Sequence, residues 1–480
     1  VRFCITPFLL LLPVASGCAV TPLVTRLPPP EHPVTLAVDW DKAGDEAVGV
    51  LRDYLRVDTT NPPGNELRGT AFLAGLLQRE GIESEVYEFA PNRGSIVARL
   101  RATAPDGEKP FCMLSHIDVV TAESAKWPPD TQPLSGAIKD GVLWGRGALD
   151  MKGLGALELE TLVWLKRLKL PLKRDVVFVA VGDEEVDDKG MIDMVEHHWD
   201  RLNCGHMINE GGIGLKDLLF EGQTVYPISV AEKGFLWMHM IASGPAGHGS
   251  TPVPGRAPER LLNAIARLNT REVTPVIDPS ILTLLRESGD GKGGLTSFVL
   301  ARPALVHALL EGRLLANPAT RAGITNTCQV TGFSGGFEPN VVPAEVSATL
   351  DCRLLPGVKP ADMVAELTKV VNDEHVRFEV ITGNEANRST WDDPVFEILA
   401  RHAINGRKEV VAGPVLSPGY TDSFYARPKG TVAYGFVPFE VTKEEAATMH
   451  GENERVSLEN VKRGFRILME AVAEIAAAHD

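Results

Sequence analysis

The sequence predicts an α/β fold, a sheet with helices on both faces, that carries an inserted α+β unit. Three observations predict it. Apolar runs rich in β-branched residues near 84–89, 95–100, 110–120, 175–181 and 204–210 alternate with amphipathic stretches over 45–57, 66–81, 151–168 and 189–199. Strand and helix periods in alternation are the mark of an α/β sheet. At about residue 232 the pattern changes to strands at 234–243, 329–332, 345–354 and 376–381 with helices at 258–270 and 360–372. From about residue 391 the first pattern resumes, and it closes with a long helix over 458–477. The expected division is a tether over 19–39, one domain built from 40–231 and 385–480, and an inserted domain of 232–384. The middle of the insertion, about 280–321, reads as helical and apolar with Pro breaks.

With 480 residues, 44% hydrophobic and 23% charged, the chain has the make-up of a folded protein larger than one typical domain. A net charge of −15 argues against nucleic acid as a partner and against electrostatic docking on anionic membranes. No apolar run of 18 residues follows the N-terminus, so no internal membrane span is expected. The N-terminus itself, Arg2, an apolar stretch over 3–14 and small residues before Cys18, reads as a secretory signal of bacterial lipoprotein type over 1–18. Ala15 stands where Leu is more usual, and a plain signal peptide cleaved nearby is the alternative. Export across the inner membrane is expected, to the periplasm or to a lipid anchor on Cys18 that would be the sole membrane contact. Among the other cysteines, Cys112 sits in an apolar strand and reads as a core thiol. Cys328 and Cys352 lie in strand-like stretches that an oxidising compartment would allow to pair.

Asn61-Pro62-Pro63-Gly64 reads as a turn between the first two helices. His116 and Asp118 then follow an apolar strand. Two apart, they share a strand face, which suits a metal-ligating His held by a carboxylate and equally a His–Asp pair tying down a turn. Gly145 to Gly153 is a Gly-rich turn entering a helix, with Asp150 near the helix N-terminus, where a capping Asp is the plain reading. The turn is not a phosphate-binding loop, because no Gly-Lys-Ser/Thr ending follows.

Gly182-Asp183-Glu184-Glu185 ends the buried strand over 175–181. Two adjacent carboxylates there are costly unless compensated. A divalent metal would compensate them, with one Glu as ligand and the other facing a water as general base. The alternative is two solvated glutamates in a turn. Glu210 ends a further strand, and His450 lies in a loop before the last helix. Together His116, Asp150, Glu185, Glu210 and His450 offer two imidazoles and three carboxylates, a set that suits two zinc ions bridged by one carboxylate.

In this order, these segments resemble the M20 family of dinuclear zinc peptidases and amidohydrolases, over about residues 45–478. The resemblance implies a zinc-peptidase-like mixed sheet flanked by helices, with the insertion as lid and dimerisation domain. It implies Asp150 as bridging ligand, His116 with Glu210 on one metal, Glu185 with His450 on the other, Glu184 as general base and Asp118 as partner of His116. Two Zn2+ are implied, with Co2+ or Mn2+ as substitutes, and a homodimer. Asn317-Pro318-Ala319-Thr320, Pro339 to Pro343, Asp351 to Gly357 and His450 to Arg455 resemble the carboxypeptidase S and N-fatty-acyl amino acid hydrolase branch. By the same resemblance His248 reaches the partner's site as an oxyanion donor, and Arg353 grips a substrate carboxylate. Asn340 adds a hydrogen bond, and Gly419, Tyr420 and Thr421 form a substrate loop in which Tyr420 is bulkier than usual. The expected reaction is hydrolysis of the amide bond next to a C-terminal amino acid with a free carboxylate, in a small N-acyl amino acid or short peptide. A dipeptidase and a non-catalytic peptide-binding lipoprotein are the alternatives.

Overall fold

The computed structural model describes residues 34–478. The expected signal segment, Cys18 and most of the tether lie outside the described residues. The chain forms an eight-stranded mixed sheet in the order Val410–Ser417, Thr224–Glu232, Val432–Val441, His206–Lys216, Phe111–His116, Val176–Val181, Arg93–Leu100 and Ser84–Ala90. In the strand Val176–Val181, Val176, Phe178 and Ala180 enter one core, and Val177, Val179 and Val181 enter another on the opposite face. The neighbouring Phe111–His116 divides in the same way, Phe111 and Met113 against Cys112 and Leu114. Because helices cover both faces, these runs are continuously apolar instead of alternating. Each such side chain contributes about 1.5–3 kcal/mol when fully buried.

The helices Trp40–Leu55, Lys152–Leu168, Pro394–Ile404 and Leu458–Ala476 cover the first face, while Lys189–His197 covers the second. Their starts are chemically marked: Asp39 accepts the Lys42 amide at 3.2 Å, and Ser457 accepts that of Asn460 at 3.2 Å. Among the described residues no helix is long and apolar enough to cross a membrane.

Phe111–His116 runs parallel to both Val176–Val181 and His206–Lys216, so three strands deliver their carboxyl ends to one edge of the sheet. Open α/β sheets bind ligands at that edge. His116 ends its strand, Glu184 and Glu185 follow Val181, and the pairing of Met113 with Ile208 brings Glu210 level with the end of the His116 strand.

Residues 234–384 supply a second, antiparallel sheet in the order Thr327–Ser334, Glu345–Leu354, Gly234–Ser243 and Val376–Asn384. The helices Ala257–Asn269 and Pro360–Val371 pack on it through Leu261, Leu268, Met363 and Leu367. The apolar middle of the insertion folds as helices Pro279–Asp290, Gly294–Leu300, Pro303–Ala316 and Pro318–Ile324. Leu284 of the first packs on Val225 and Val411 of the large sheet, so part of this apolar content covers the sheet's edge strand.

Two expectations need correction. Cys112 is not a free core thiol: it is disulfide-bonded to Cys204. Phe111 pairs with His206, so Cys204 arrives beside Cys112 only because those two strands are neighbours. Cys328 and Cys352, opposite each other on paired strands, are also bonded. The strand expected over 110–120 is broken after His116, and its continuation Val119–Val120 pairs instead with Thr60–Asn61.

Candidate metal centre and active site

The sheet edge gathers the five expected donors. Asp150 stands between the two histidines, with Oδ1 at 3.2 Å from His116 Nε2 and Oδ2 at 3.1 Å from His450 Nε2. Glu185 Oε2 is 3.0 Å from His450 Nε2, and Glu210 Oε1 is 3.9 Å from His116 Nε2. Glu184 Oε2 lies 4.0 Å from the same nitrogen. His116 is fully buried, whereas the His450 side chain is 53% exposed, which makes it the mouth of the site.

This donor set fits divalent cations. His116 Nδ1 is 2.9 Å from the Asp118 carbonyl oxygen, which can only accept, so the proton sits on Nδ1. The lone pair on Nε2 then faces the carboxylates of Asp150, Glu184 and Glu210. Acceptors facing acceptors at such distances require a cation or extra protons between them. Ligand atoms about 2.0–2.1 Å from a tetrahedral zinc stand roughly 3.3 Å apart, close to the spacings of both histidines from Asp150. Glu185 Oε1 is buried without a hydrogen-bond partner, as expected of an oxygen awaiting a cation.

Electrostatics says the same. Burial, reinforced by Glu210, pushes the Glu184 carboxyl well above the carboxylate range, and burial with Asp150 pushes Glu210 up to about 8. Hydrogen bonds to Asp150 and Glu185 raise His450 to about 10. Burial alone would lower His116, but Asp150 and the surrounding glutamates raise it well above normal. Asp150 goes the other way, because the two histidines outweigh its burial. Such a constellation of mutually perturbed groups is typical of functional sites.

Asp118 is positioned differently from expectation. Its carbonyl, not its carboxylate, holds His116; the nearer carboxylate oxygen is 3.7 Å from Nδ1. The carboxylate instead accepts the backbone amides of Glu184 and Glu185, each at 3.2 Å. The expected substrate residues form no hydrogen bonds with the donor set. His248 is exposed, its ring bonded to Ser250, and Asn340 accepts the Gly249 amide through its carbonyl. Arg353 pairs with Asp351 at 2.9 Å. The Gly419 amide donates to the Ser417 hydroxyl. The Tyr420 hydroxyl donates to Asp188 at 2.8 Å, and its ring packs edge-on against Phe235 at 5.1 Å. Thr421 is buried, its hydroxyl committed to Glu232 at 2.9 Å.

Residues with no expected role also shape the site. Buried Glu454 accepts the amides of Gly147, Leu149 and Asp150 at 2.8–3.0 Å and pairs with Arg146 at 2.6 Å, which fixes the loop carrying Asp150. Asp422 is buried with Oδ1 unpartnered, and burial raises its carboxyl well above normal. Both belong to short motifs visible in the sequence, but nothing in those motifs reveals what the side chains touch.

A profile of peptidase family M20/M25/M40 matches residues 112–474. The human N-fatty-acyl-amino acid synthase/hydrolase PM20D1 is 29% identical over 76% of this chain and 74% of its own length. A probable carboxypeptidase S-like 2 of Dictyostelium discoideum is 26% identical over 74% of this chain and 69% of its own. Among solved structures, an M20 family metallo-carboxypeptidase from Sulfolobus solfataricus superposes with a TM-score of 0.68, at 18% identity, over 89% of this chain and 99% of that one.

Proposed function

Because the chain belongs to peptidase family M20/M25/M40, a family of amide-bond hydrolases, we propose that it is a zinc-dependent hydrolase releasing a C-terminal amino acid with a free carboxylate. The other half of the substrate is an acyl group or a short peptide. The observation that carries this reading is Glu184, a carboxylate 4.0 Å from His116 Nε2 with its side chain 11% exposed, beside the donors but not held as close to either histidine as Asp150 and Glu185 are.

The donors suit two zinc ions, one on His116 and Glu210, the other on His450 and Glu185, with Asp150 between. When bound, zinc supplies a Lewis acid for the scissile carbonyl and makes a water acidic near neutral pH. Glu184 takes the proton of the attacking water and delivers it to the leaving nitrogen, a task for which a carboxylate beside the donors is suited. His248 donates to the oxyanion from a partner subunit; its exposure, with Ser250 as its ring's hydrogen-bond partner, supports a role outside its own site. Arg353 exchanges Asp351 for the substrate carboxylate, a bidentate match for its guanidinium. The human relative's name, an N-fatty-acyl-amino acid synthase/hydrolase, supports an acyl group on the substrate nitrogen. Two closed disulfides support an oxidising compartment and hence export, with lipidation of Cys18 as the anchor.

The test is amino acid release from the zinc-loaded protein, followed by mass spectrometry across N-acyl amino acids and dipeptides, each beside its C-terminal amide. Release from acylated substrates but not their amides is expected. Release from dipeptides alone would make the protein a dipeptidase, and no release with two zincs bound would make it a binding protein.

A further inference from the structure

The Asn61-Pro62-Pro63-Gly64 motif looks in sequence like a plain turn, yet it reaches the back of the active site. Behind the Gly182–Glu185 turn three carboxylates, Glu66, Asp118 and Asp183, converge, all fully buried, with an oxygen of each within 4.8 Å of the others. By distance alone they could hold a cation. Arg93 already fills that role: its guanidinium is 2.7 Å from Asp183 Oδ1 and 3.0 Å from Glu66 Oε2, with a further bond to Glu66 Oε1. Gly64, at φ +79°, makes room, since a Cβ there would lie 2.4 Å from Arg93 Nε.

One guanidinium cannot neutralise three carboxylates, and Asp118 is the one it does not touch. The Asn61 side-chain amide closes that gap. Its Nδ2 donates to Asp118 Oδ2 at 2.9 Å and to Asp183 Oδ1 at 2.9 Å, and two acceptors fix which way the amide faces. Asp118 in turn accepts the Glu184 amide on Oδ1 and the Glu185 amide on Oδ2. A continuous line of charge-assisted hydrogen bonds thus runs from Arg93 through Asp183, Asn61 and Asp118 to the backbone of Glu184.

We propose that Asn61 is a positioning residue for Glu184: by holding the Asp118 carboxylate against Asp183, it sets the direction from which Glu184 meets the attacking water. This rests on Glu184 being the general base. Without the Asn61 amide, Asp118 and Asp183 repel each other, Asp118 turns, and the amides of 184 and 185 lose a fixed acceptor. Of the metal donors, His116 holds the Asp118 carbonyl and Asp150 is fixed by Glu454, while Glu185, whose amide shares Asp118 Oδ2 with Asn61, keeps its side-chain contact with His450.

The test is a double-mutant cycle on the zinc-loaded full chain with an N-acyl amino acid that the wild type hydrolyses. Asn61→Ala, Glu184→Ala and the double variant are compared for kcat, KM, zinc per chain and melting temperature. Asn61→Ala is expected to lower kcat by about 10–100-fold, with KM within about threefold and both zincs retained when zinc is kept in excess. In the Glu184→Ala background it should cost nothing further, since the group it positions is gone. Asn61→Ser, which keeps one donor, should recover part of the rate, and it serves for the cycle if the Ala variant does not fold. An unchanged kcat, an equal loss in both backgrounds, or a rate loss matched by zinc loss would overturn the proposal while leaving the general-base reading intact. Wild-type turnover in Glu184→Ala would overturn that reading, and this inference with it.

Discussion

Replacing Glu454 by Gln changes a single atom's chemistry and should be felt at the metal donors. The Glu454 carboxylate is fully buried and receives four donors: the Arg146 guanidinium at 2.6 Å and the amides of Gly147, Leu149 and Asp150. Burial pushes this carboxyl up, against the pull of Arg146 and the amides, so the donors are what keep it useful as an anion. Gln keeps one acceptor and turns an NH2 toward amides that are themselves donors. It also leaves Arg146, with a side chain only 3% exposed, without its countercharge. Breaking a buried pair in this way costs about 3–5 kcal/mol. The Gly451 carbonyl, 2.6 Å from the Arg146 guanidinium, remains and favours the lower end. The second effect is on Asp150, whose amide loses its anchor, so metal affinity should fall by about 10–100-fold. Denaturant unfolding of the metal-free protein would measure the first effect and competition with a chelator the second. The reasoning fails if Glu454→Gln unfolds within about 1 kcal/mol of wild type and binds metal equally well.

Two further predictions concern the scaffold. His402 sits 2.8 Å from Glu474 and 3.8 Å from Glu470, joining the helices Pro394–Ile404 and Leu458–Ala476. Burial lowers the His402 pKa, but the two glutamates outweigh it and the net shift is upward. A raised folded pKa gives stability that is complete below about pH 6.5, the unfolded value, and is lost as pH rises through the folded value. Thermal melts should therefore show His402→Leu costing more at pH 6 than at pH 9; equal costs would refute the pairing. The Cys112–Cys204 bond closes a 92-residue separation, and converting both to Ser should cost about 2–4 kcal/mol. In strong reductant, which also opens Cys328–Cys352, wild type should melt near the variant in the same reductant, and a wild type that loses no more on reduction than the variant does would contradict the bond.

The fold was readable because its driving pattern is local. The run over 176–181 has to be buried on both faces, Gly234–Ser243 is a near-continuous apolar run, and Glu345–Leu354 alternates clearly enough to be bounded from the sequence. The strand Thr224–Glu232 was not separable, since Pro227 within it argues against a strand on local grounds. The five donors stood out because carboxylates and imidazoles at strand ends and loops need a reason to be there. Asn61, Arg93 and Glu454 did not, since an amide in a Pro-Pro turn or a glutamate in a loop is unremarkable until the fold shows what it touches. The Cys112–Cys204 pairing was hidden for the same reason: it depends on strand order, which no local pattern encodes. For Asp118, sequence spacing correctly put it beside His116 but could not tell carbonyl from carboxylate.

Glu184 is proposed above as the general base of a metal-dependent amide hydrolase. The most direct measurement is turnover and zinc content of Glu184→Ala beside wild type, on the best substrate of the acyl-amino acid panel. Two zincs per chain are expected in both proteins, with a kcat about 10²–10⁴-fold lower in the variant. Turnover within a few-fold of wild type, with the zinc content unchanged, would contradict it.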